Sequence, residues 1–282
     1  MNEDTKLRAR VQSVTAKLST LARNQGMPYD RMLTLFLLER AACRLLSDDS
    51  LADHLIFKGG YINVRVYGSP RYTTDLDLGL VGLTGKVASA KILGAMSTDF
   101  DDCVWFKHFE TIDLKTQGEY GGTRFAFRTG LGAPPQDIDK CQILDIDLAI
   151  GDPVEPPPKR IKTKLVLGEE SISWRVYPVE TIVSEKLHAL TVLGPANSRS
   201  KDVFDLFLLL PKVDNASLKR ALAATFSYRD DPLPKSLADI IKKMDRTLIR
   251  KGWKSAAGYI KDAPDFDVAL DTIIRLLKEI SL

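Results

Sequence analysis

The spacing of apolar positions changes along the chain, and the change separates its parts. Leu7, Val11, Val14, Leu18 and Leu21 recur at helical spacing, and Gly26 and Pro28 end that run. Asp30 is placed to cap a second helix, RMLTLFLLERAACRLL, whose Leu33, Phe36, Leu37, Ala41 and Leu45 share one face. The run HLIFK at 54–58 predicts a short strand, Gly59-Gly60 a turn, and YINVRVYG at 61–68 a short helix. TTDLDLGL at 73–80 alternates as a half-buried strand does, and Thr84 to Met96 reads as helix. From Val104 to Ile150 the period becomes two. VWFKHFETIDL, RFAFRT and QILDIDLAI carry the β-branched and aromatic residues of strands. The proline-rich GDPVEPPPK at 151–159 predicts an extended loop, with strands RIKTKLVL and ISWRVY after it.

Beyond Pro178 the pattern is helical to the end, through ETIVSEKLHALTVLG, SKDVFDLFLLL, LKRALAATF, SLADIIKKMDRTLIRK and FDVALDTIIRLLKEI. The fold class expected is α+β. Residues 1–180 form an α/β domain with N-terminal helices, and residues 181–282 form a helical domain.

Composition narrows the function classes. At 44% apolar and 27% charged residues, the 282-residue chain has the makings of a packed core. It shows no run long enough to span a bilayer and no signal-peptide pattern. Cys43, Cys103 and Cys141 are scattered with no CxxC pair, which excludes a zinc knuckle or disulfide framework and points to a reducing, cytoplasmic setting. The three histidines are scattered too, so a histidine-built metal site is not expected. A net charge of +3 is too small to imply nucleic acid by itself. Two local basic runs qualify this. Lys242, Arg246 and Arg250 fall at i, i+4, i+8 on one predicted helix, and Arg160, Lys162 and Lys164 share one strand face. A solvated helix face with Asp239 and Asp245 as partners is the simpler reading of the first run; a surface that tracks a phosphate backbone is the other.

The residues that call for chemistry are carboxylates. Asp75 and Asp77 share one strand face, where like charges repel and aspartate is disfavoured. Two carboxylates so placed can ligate divalent cations such as Mg²⁺, which cancel the repulsion and bind phosphate oxygens as well. The strand ILDIDLAI repeats the pattern, with Leu144, Ile146, Leu148 and Ile150 on one face and Asp145 and Asp147 on the other with Ile143 and Ala149. Either pair alone reads first as an exposed sheet surface. Both pairs together, with Gly59-Gly60 upstream, converge on one site. The glycines themselves fit either a tight strand-to-helix turn or a close backbone approach to phosphate.

Taken as a set, FKGGYINVRVYGSPRYTTDLDLGL resembles the first motif of nucleotidyltransferases of the DNA polymerase β superfamily, and more closely that of the AbiEii/AbiGii toxin branch. DLAIGDPVEPPP is similar to that family's second acidic strand, and YPVETIVSEKLHAL with LGPANSRSKDVFDL to its third region. The resemblance spans roughly residues 30–210. It implies a nucleotidyltransferase core with an added helical domain, and Mg²⁺-dependent transfer of a nucleotide from an NTP to RNA, particularly tRNA, or to a protein. It also implies the toxin half of a toxin–antitoxin or abortive-infection pair, with a separate antitoxin. In that reading Asp75, Asp77 and Asp147 hold two metals. Lys186 and Asp202 join them as catalytic residues. Lys58, Gly59, Gly60, Arg71 and Lys186 bind the nucleotide. Lys201 and Asp205 also fall at motif positions, with Asp205 open between a place in the site and a structural role. The first motif departs from the superfamily in reading Gly-Gly rather than Gly-Ser, so it offers no serine hydroxyl for a phosphate. A protein that holds a nucleotide and acts by engaging a partner, without transfer, is the alternative.

Overall fold

The alternating segments pair into one sheet, and that sheet decides where the carboxylates go. The computed structural model describes residues 2–114, 121–192, 199–257 and 260–280. Its seven strands are β1 (Leu55–Lys58), β2 (Asp75–Leu80), β3 (Val104–Asp113), β4 (Gly122–Leu131), β5 (Gln142–Ile150), β6 (Lys159–Lys164) and β7 (Ser171–Val176). They lie in the order β3-β4-β5-β2-β1-β7-β6. β2 runs parallel to β5, whereas β1 pairs antiparallel with β2, and β4 antiparallel with both β3 and β5.

Leu76, Leu78, Leu144, Ile146 and Leu148 are all fully buried, so β2 and β5 turn one face into the core. With a side-chain period of two, the intervening aspartates must emerge on the other face. Helix α1 is Glu3–Asn24 and α2 is Tyr29–Leu46. α2 packs against β2 and against α5 (Gly85–Met96), and buries Met32, Phe36, Leu37, Leu38, Ala41 and Leu45. Thr84 caps α5 by accepting from the Val87 N–H. Arg44 of α2 is itself buried. It donates to both oxygens of Asp102 at 2.9 Å and to the Val104 carbonyl, between the rings of Phe100 and Phe106. Two short helices flank β1 in the chain, α3 (Asp49–Ala52) and α4 (Gly59–Arg65).

The remaining helices are α6 (Val179–Val192), α7 (Ser200–Leu209), α8 (Asn215–Tyr228), α9 (Leu237–Lys242), α10 (Arg246–Lys251), α11 (Trp253–Ala257) and α12 (Phe266–Glu279). α12 shows the cause most plainly. Phe266, Ala269, Leu270, Ile273, Ile274 and Leu277 recur at helical spacing, and all six are buried. Among the described residues no helix is long and apolar enough to cross a membrane.

Two compact units divide the chain, and neither is one continuous stretch. The first takes Met1–Tyr61, Tyr72–Gly151 and Arg160–Arg175; the second takes Ile62–Arg71, Asp152–Lys159 and Val176–Leu282. Sequence pattern draws a single line at 180, because it cannot see that 62–71 and 152–159 pack with the later helices.

Three local expectations change. Pro28, not Asp30, occupies the cap of α2, and Asp30 sits in its first turn. The helix expected over 236–251 is two helices, because Asp245 caps α10 by accepting from the Thr247 N–H. On α1 the expected stripe is only half-buried, and Leu18 and Ala22 alone are fully covered. Residues 193–198, which belong to the third region named above, lie outside the described residues.

Candidate active site

The parallel register of β2 and β5 brings the two acidic pairs side by side. Asp75 lies opposite Asp145, and Asp77 opposite Asp147. The row continues outward on both sides, with Arg124 of β4 opposite Asp147 and Lys58 of β1 opposite Asp77. Across four strands one row therefore reads Arg124, Asp147, Asp77, Lys58: two carboxylates bracketed by two cations. All four aspartates are half-buried.

Each carboxylate has its own support. Arg124 grips Asp147 as a fork, Nε donating to Oδ1 and Nη2 to Oδ2, both at 2.7 Å, while its Nη1 stands 3.6 Å from Asp145 Oδ2. This bond to Asp147, with the fields of Asp145 and Asp75, holds the guanidinium above even its ordinary pKa. Asp145 is pushed the other way from most surface carboxylates. Burial raises its pKa first, and repulsion from Asp147 and Asp75 adds to that against the pull of Arg124. Thr73 Oγ1 donates to Asp75 Oδ1. Asp77 packs directly over Gly59, where an added Cβ would overlap the Asp77 carboxylate. Gly59 also has φ +68°, so glycine is required there twice over. Its neighbour Gly60 is buried within the first turn of α4, a helix of seven residues that begins at Gly59 itself.

The donor chemistry suits a hard divalent cation, since carboxylate oxygens are the ligands Mg²⁺ takes. Asp75 and Asp77 provide such oxygens on one face. The third expected ligand, Asp147, has both oxygens bonded to Arg124. Among the described residues no three His, Cys, Asp or Glu side chains stand together as a ready metal cage.

The second unit holds a separate buried cluster. Lys186 of α6 donates to Asp202 Oδ1 at 2.6 Å and pairs with Asp205 Oδ2 at 2.8 Å. Arg71 donates from Nε to Asp205 Oδ1 at 3.0 Å and from Nη2 to Oδ2 at 3.2 Å, and Asn63 Nδ2 donates to the same Oδ2. Arg199 reaches Asp202 at 3.4 Å. Burial alone would lower the pKa of Lys186, but the two aspartates outweigh it and hold the ammonium above its ordinary value. The same contacts overcome burial at Asp202 and hold it below the usual carboxylate range. Lys186 is therefore not a solvated helix lysine. Two of the Arg71 donors expected to face a phosphate are committed to Asp205, and Lys201 is exposed outside the cluster.

Two functional candidates go beyond the sequence reading. Arg124 sits in RFAFRT, where neither of the two arginines carries a signal until the β4–β5 register is known. Asp205, left open by the sequence between a site role and a structural one, gathers donors from Arg71, Asn63 and Lys186. Its i, i+3 spacing from Asp202 in KDVFDL was the available cue. The basic run at 242–250 is corrected. Lys242 and Arg246 are on different helices, and Arg246 and Arg250 are ion-paired with Asp267 and Asp271 of α12. On β6, Arg160 and Lys164 pair with Asp53 and Glu169.

Comparison with known proteins places this geometry. The fold is similar to the crystal structure of a protein from H. pylori assigned as a nucleotidyltransferase. The TM-score is 0.54 at 18% identity, covering 86% of this chain and 92% of that one. It is also similar to JHP933 from Helicobacter pylori, with a TM-score of 0.52 at 18% identity, over 86% of this chain and 89% of that one. No curated protein sequence matches the chain. The family model described as nucleotidyl transferase AbiEii toxin, type IV toxin–antitoxin system, matches residues 40–272, a span that contains the four strand aspartates, Arg124, Lys58 and the Lys186 cluster. The chain belongs to the AbiEii family of nucleotidyltransferase toxins.

Proposed function

We propose that this nucleotidyltransferase transfers a nucleotide from an NTP to an RNA hydroxyl, with tRNA as the favoured class of acceptor, and uses a divalent cation held at Asp75 and Asp77. The observation that carries the reading is the registered acidic face of β2 and β5 in a chain of this family. When bound, Mg²⁺ would neutralise phosphate charge and polarise the α-phosphoryl group. Asp75 and Asp77 offer it oxygens and lose their mutual repulsion. Asp147 would be the third metal ligand, and it accepts the proton of the attacking hydroxyl as the acceptor O–P bond forms and the bond to pyrophosphate breaks. Lys58, next to Asp77 in the row, and the backbone at Gly59-Gly60 serve phosphate oxygens. Lys186 supplies an ammonium for the triphosphate, which Asp202 and Asp205 hold charged and directed, and Arg71 is fixed by Asp205 to the same end. Most of the catalysis in such transfer is positioning and charge stabilisation. The setting is cytoplasmic, where NTP and RNA are available, and a separately encoded antitoxin restrains the activity.

The hold of Arg124 on Asp147 favours a second reading, in which the nucleotide is bound without transfer. One experiment separates them. Protein, Mg²⁺, labelled NTPs and total RNA are incubated with wild type and with Asp75→Ala. Label fixed covalently to RNA by wild type and lost in a folded Asp75→Ala protein supports transfer. Label bound but never covalent favours the second reading, and undiminished transfer by Asp75→Ala removes Asp75 from the site.

A further inference from the structure

The proposed function leaves one strong interaction unused, the fork between Arg124 and Asp147. We infer that Arg124 is a built-in competitor for the cation, a positioning residue that sets the divalent-metal affinity of the acidic face by holding both oxygens of the third carboxylate. The inference rests on the metal reading above and deepens it.

The register gives the reason. Asp147 and Asp77 are neighbours on one face, and a row of two carboxylates needs positive charge. Arg124 supplies it from within the sheet, with two donors at 2.7 Å and a third nitrogen 3.6 Å from Asp145. A guanidinium does not lose its proton in proteins, so this competitor cannot be titrated away. A cation that recruits Asp147 must therefore displace the fork or share oxygens with it against like-charge repulsion. The arginine side chain is 35% exposed, so it has solvent to swing into once released. Asp75 lacks such a fork and is held by Thr73, which leaves it open to a metal. The consequence is a site that binds its first cation through Asp75 and Asp77 and gains the third ligand only when Arg124 lets go.

The test uses the full chain without nucleotide and measures Mn²⁺ binding by the electron paramagnetic resonance signal of free Mn²⁺. Arg124→Gln is expected to bind Mn²⁺ about tenfold more tightly than wild type, the scale of one charge-assisted bond removed. The gain is expected to vanish when Asp147→Asn is combined with it, compared with Asp147→Asn alone. Unchanged or weaker binding by Arg124→Gln overturns the inference, as does a gain that survives Asp147→Asn. Asp75→Asn reports on the underlying reading. If wild type binds no Mn²⁺, or binds it equally with Asp75→Asn, the metal site itself is wrong and the inference falls with it. A wild-type measurement guards against a variant that misfolds. The Arg124 Nε–H resonance, assigned by its loss in Arg124→Lys, should shift as Mg²⁺ is added, and a resonance unmoved at saturating Mg²⁺ overturns the inference independently.

Discussion

Asp205→Asn tests whether the buried cluster of the second unit is organised around one carboxylate. The Asp205 side chain has no exposure to solvent. Its Oδ2 accepts from Arg71 Nη2, Asn63 Nδ2 and Lys186 Nζ, and its Oδ1 accepts from Arg71 Nε. Asparagine keeps the shape but offers one acceptor oxygen and one N–H₂ group. Whichever way the amide turns, at least one of these donors meets another donor, and the negative charge is gone. Removing one partner of a buried ion pair costs about 3–5 kcal/mol, and the retained oxygen places this change near the lower end, about 3 kcal/mol. With a urea dependence of about 3 kcal/mol/M, the unfolding midpoint should fall by about 1 M. Asp202→Asn is the internal comparison. Its side chain is 13% exposed, and Lys186 keeps Asp205 when it is lost, so the expected cost is about 1–2 kcal/mol. An Asp205→Asn cost under about 1 kcal/mol, or a larger cost for Asp202→Asn, would refute the idea that Asp205 is the centre of this cluster.

Gly59→Ala places a Cβ at φ +68° and into the Asp77 carboxylate, so urea unfolding should show a loss of about 1–3 kcal/mol; a neutral substitution would mean the turn can relax away from β2. Arg246→Ala with Arg250→Ala should leave the salt dependence of RNA binding unchanged, because Asp267 and Asp271 already neutralise both guanidiniums; a slope reduced by about two would restore them to an RNA surface. The pH dependence follows from Asp102 and Asp202. Burial would raise both, but Arg44 and Arg40 at the first and Lys186 at the second hold them below the usual carboxylate range. Their contribution is complete above the unfolded value of about 4 and is lost as pH falls through the lower folded values. Lys186 is shifted upward, so its contribution is complete below about 10 and is lost as pH rises through the folded value. Melting temperature should therefore fall on an acid limb and on a strongly basic limb, and Asp102→Asn should flatten the acid limb; equal acid slopes for it and wild type would contradict this.

What could be read from the chain was whatever local periodicity decides. Leu76 and Leu78, like Leu144, Ile146 and Leu148, alternate with aspartates, so their burial and the shared face of each acidic pair were legible. The register that sets Asp77 beside Asp147 was not, because nothing in either strand specifies its partner across 70 residues. Arg124 was invisible for the same reason, since its meaning lies wholly in being opposite Asp147. The ion-paired, solvated reading of the basic run at 242–250 was legible, but its division into two helices was not, because Asp245 caps the second, and its partners Asp267 and Asp271 are too distant in sequence to be seen. Arg71 likewise read as a free phosphate donor until Asp205 appeared beside it.

The four-strand row explains how an acidic face can exist before any cation arrives. Two adjacent carboxylates on paired strands destabilise the sheet unless charge is balanced, and the protein must fold whether or not metal is present. Arg124 and Lys58 stand at the two ends of that row, so the balance is built into the register. Such a face is stable without a bound cation, and on the proposed reading the cost would be weaker metal binding wherever a protein cation must yield an oxygen. Fold stability and metal affinity then respond in opposite directions to one side chain. Arg124→Gln should bind Mn²⁺ more tightly and yet unfold at lower urea in the absence of metal, and the two changes should shrink together when Asp147 is also replaced. If instead the metal-free variant were as stable as wild type, the repulsion between Asp77 and Asp147 would have to be relieved elsewhere, and Lys58 would be the next side chain to remove.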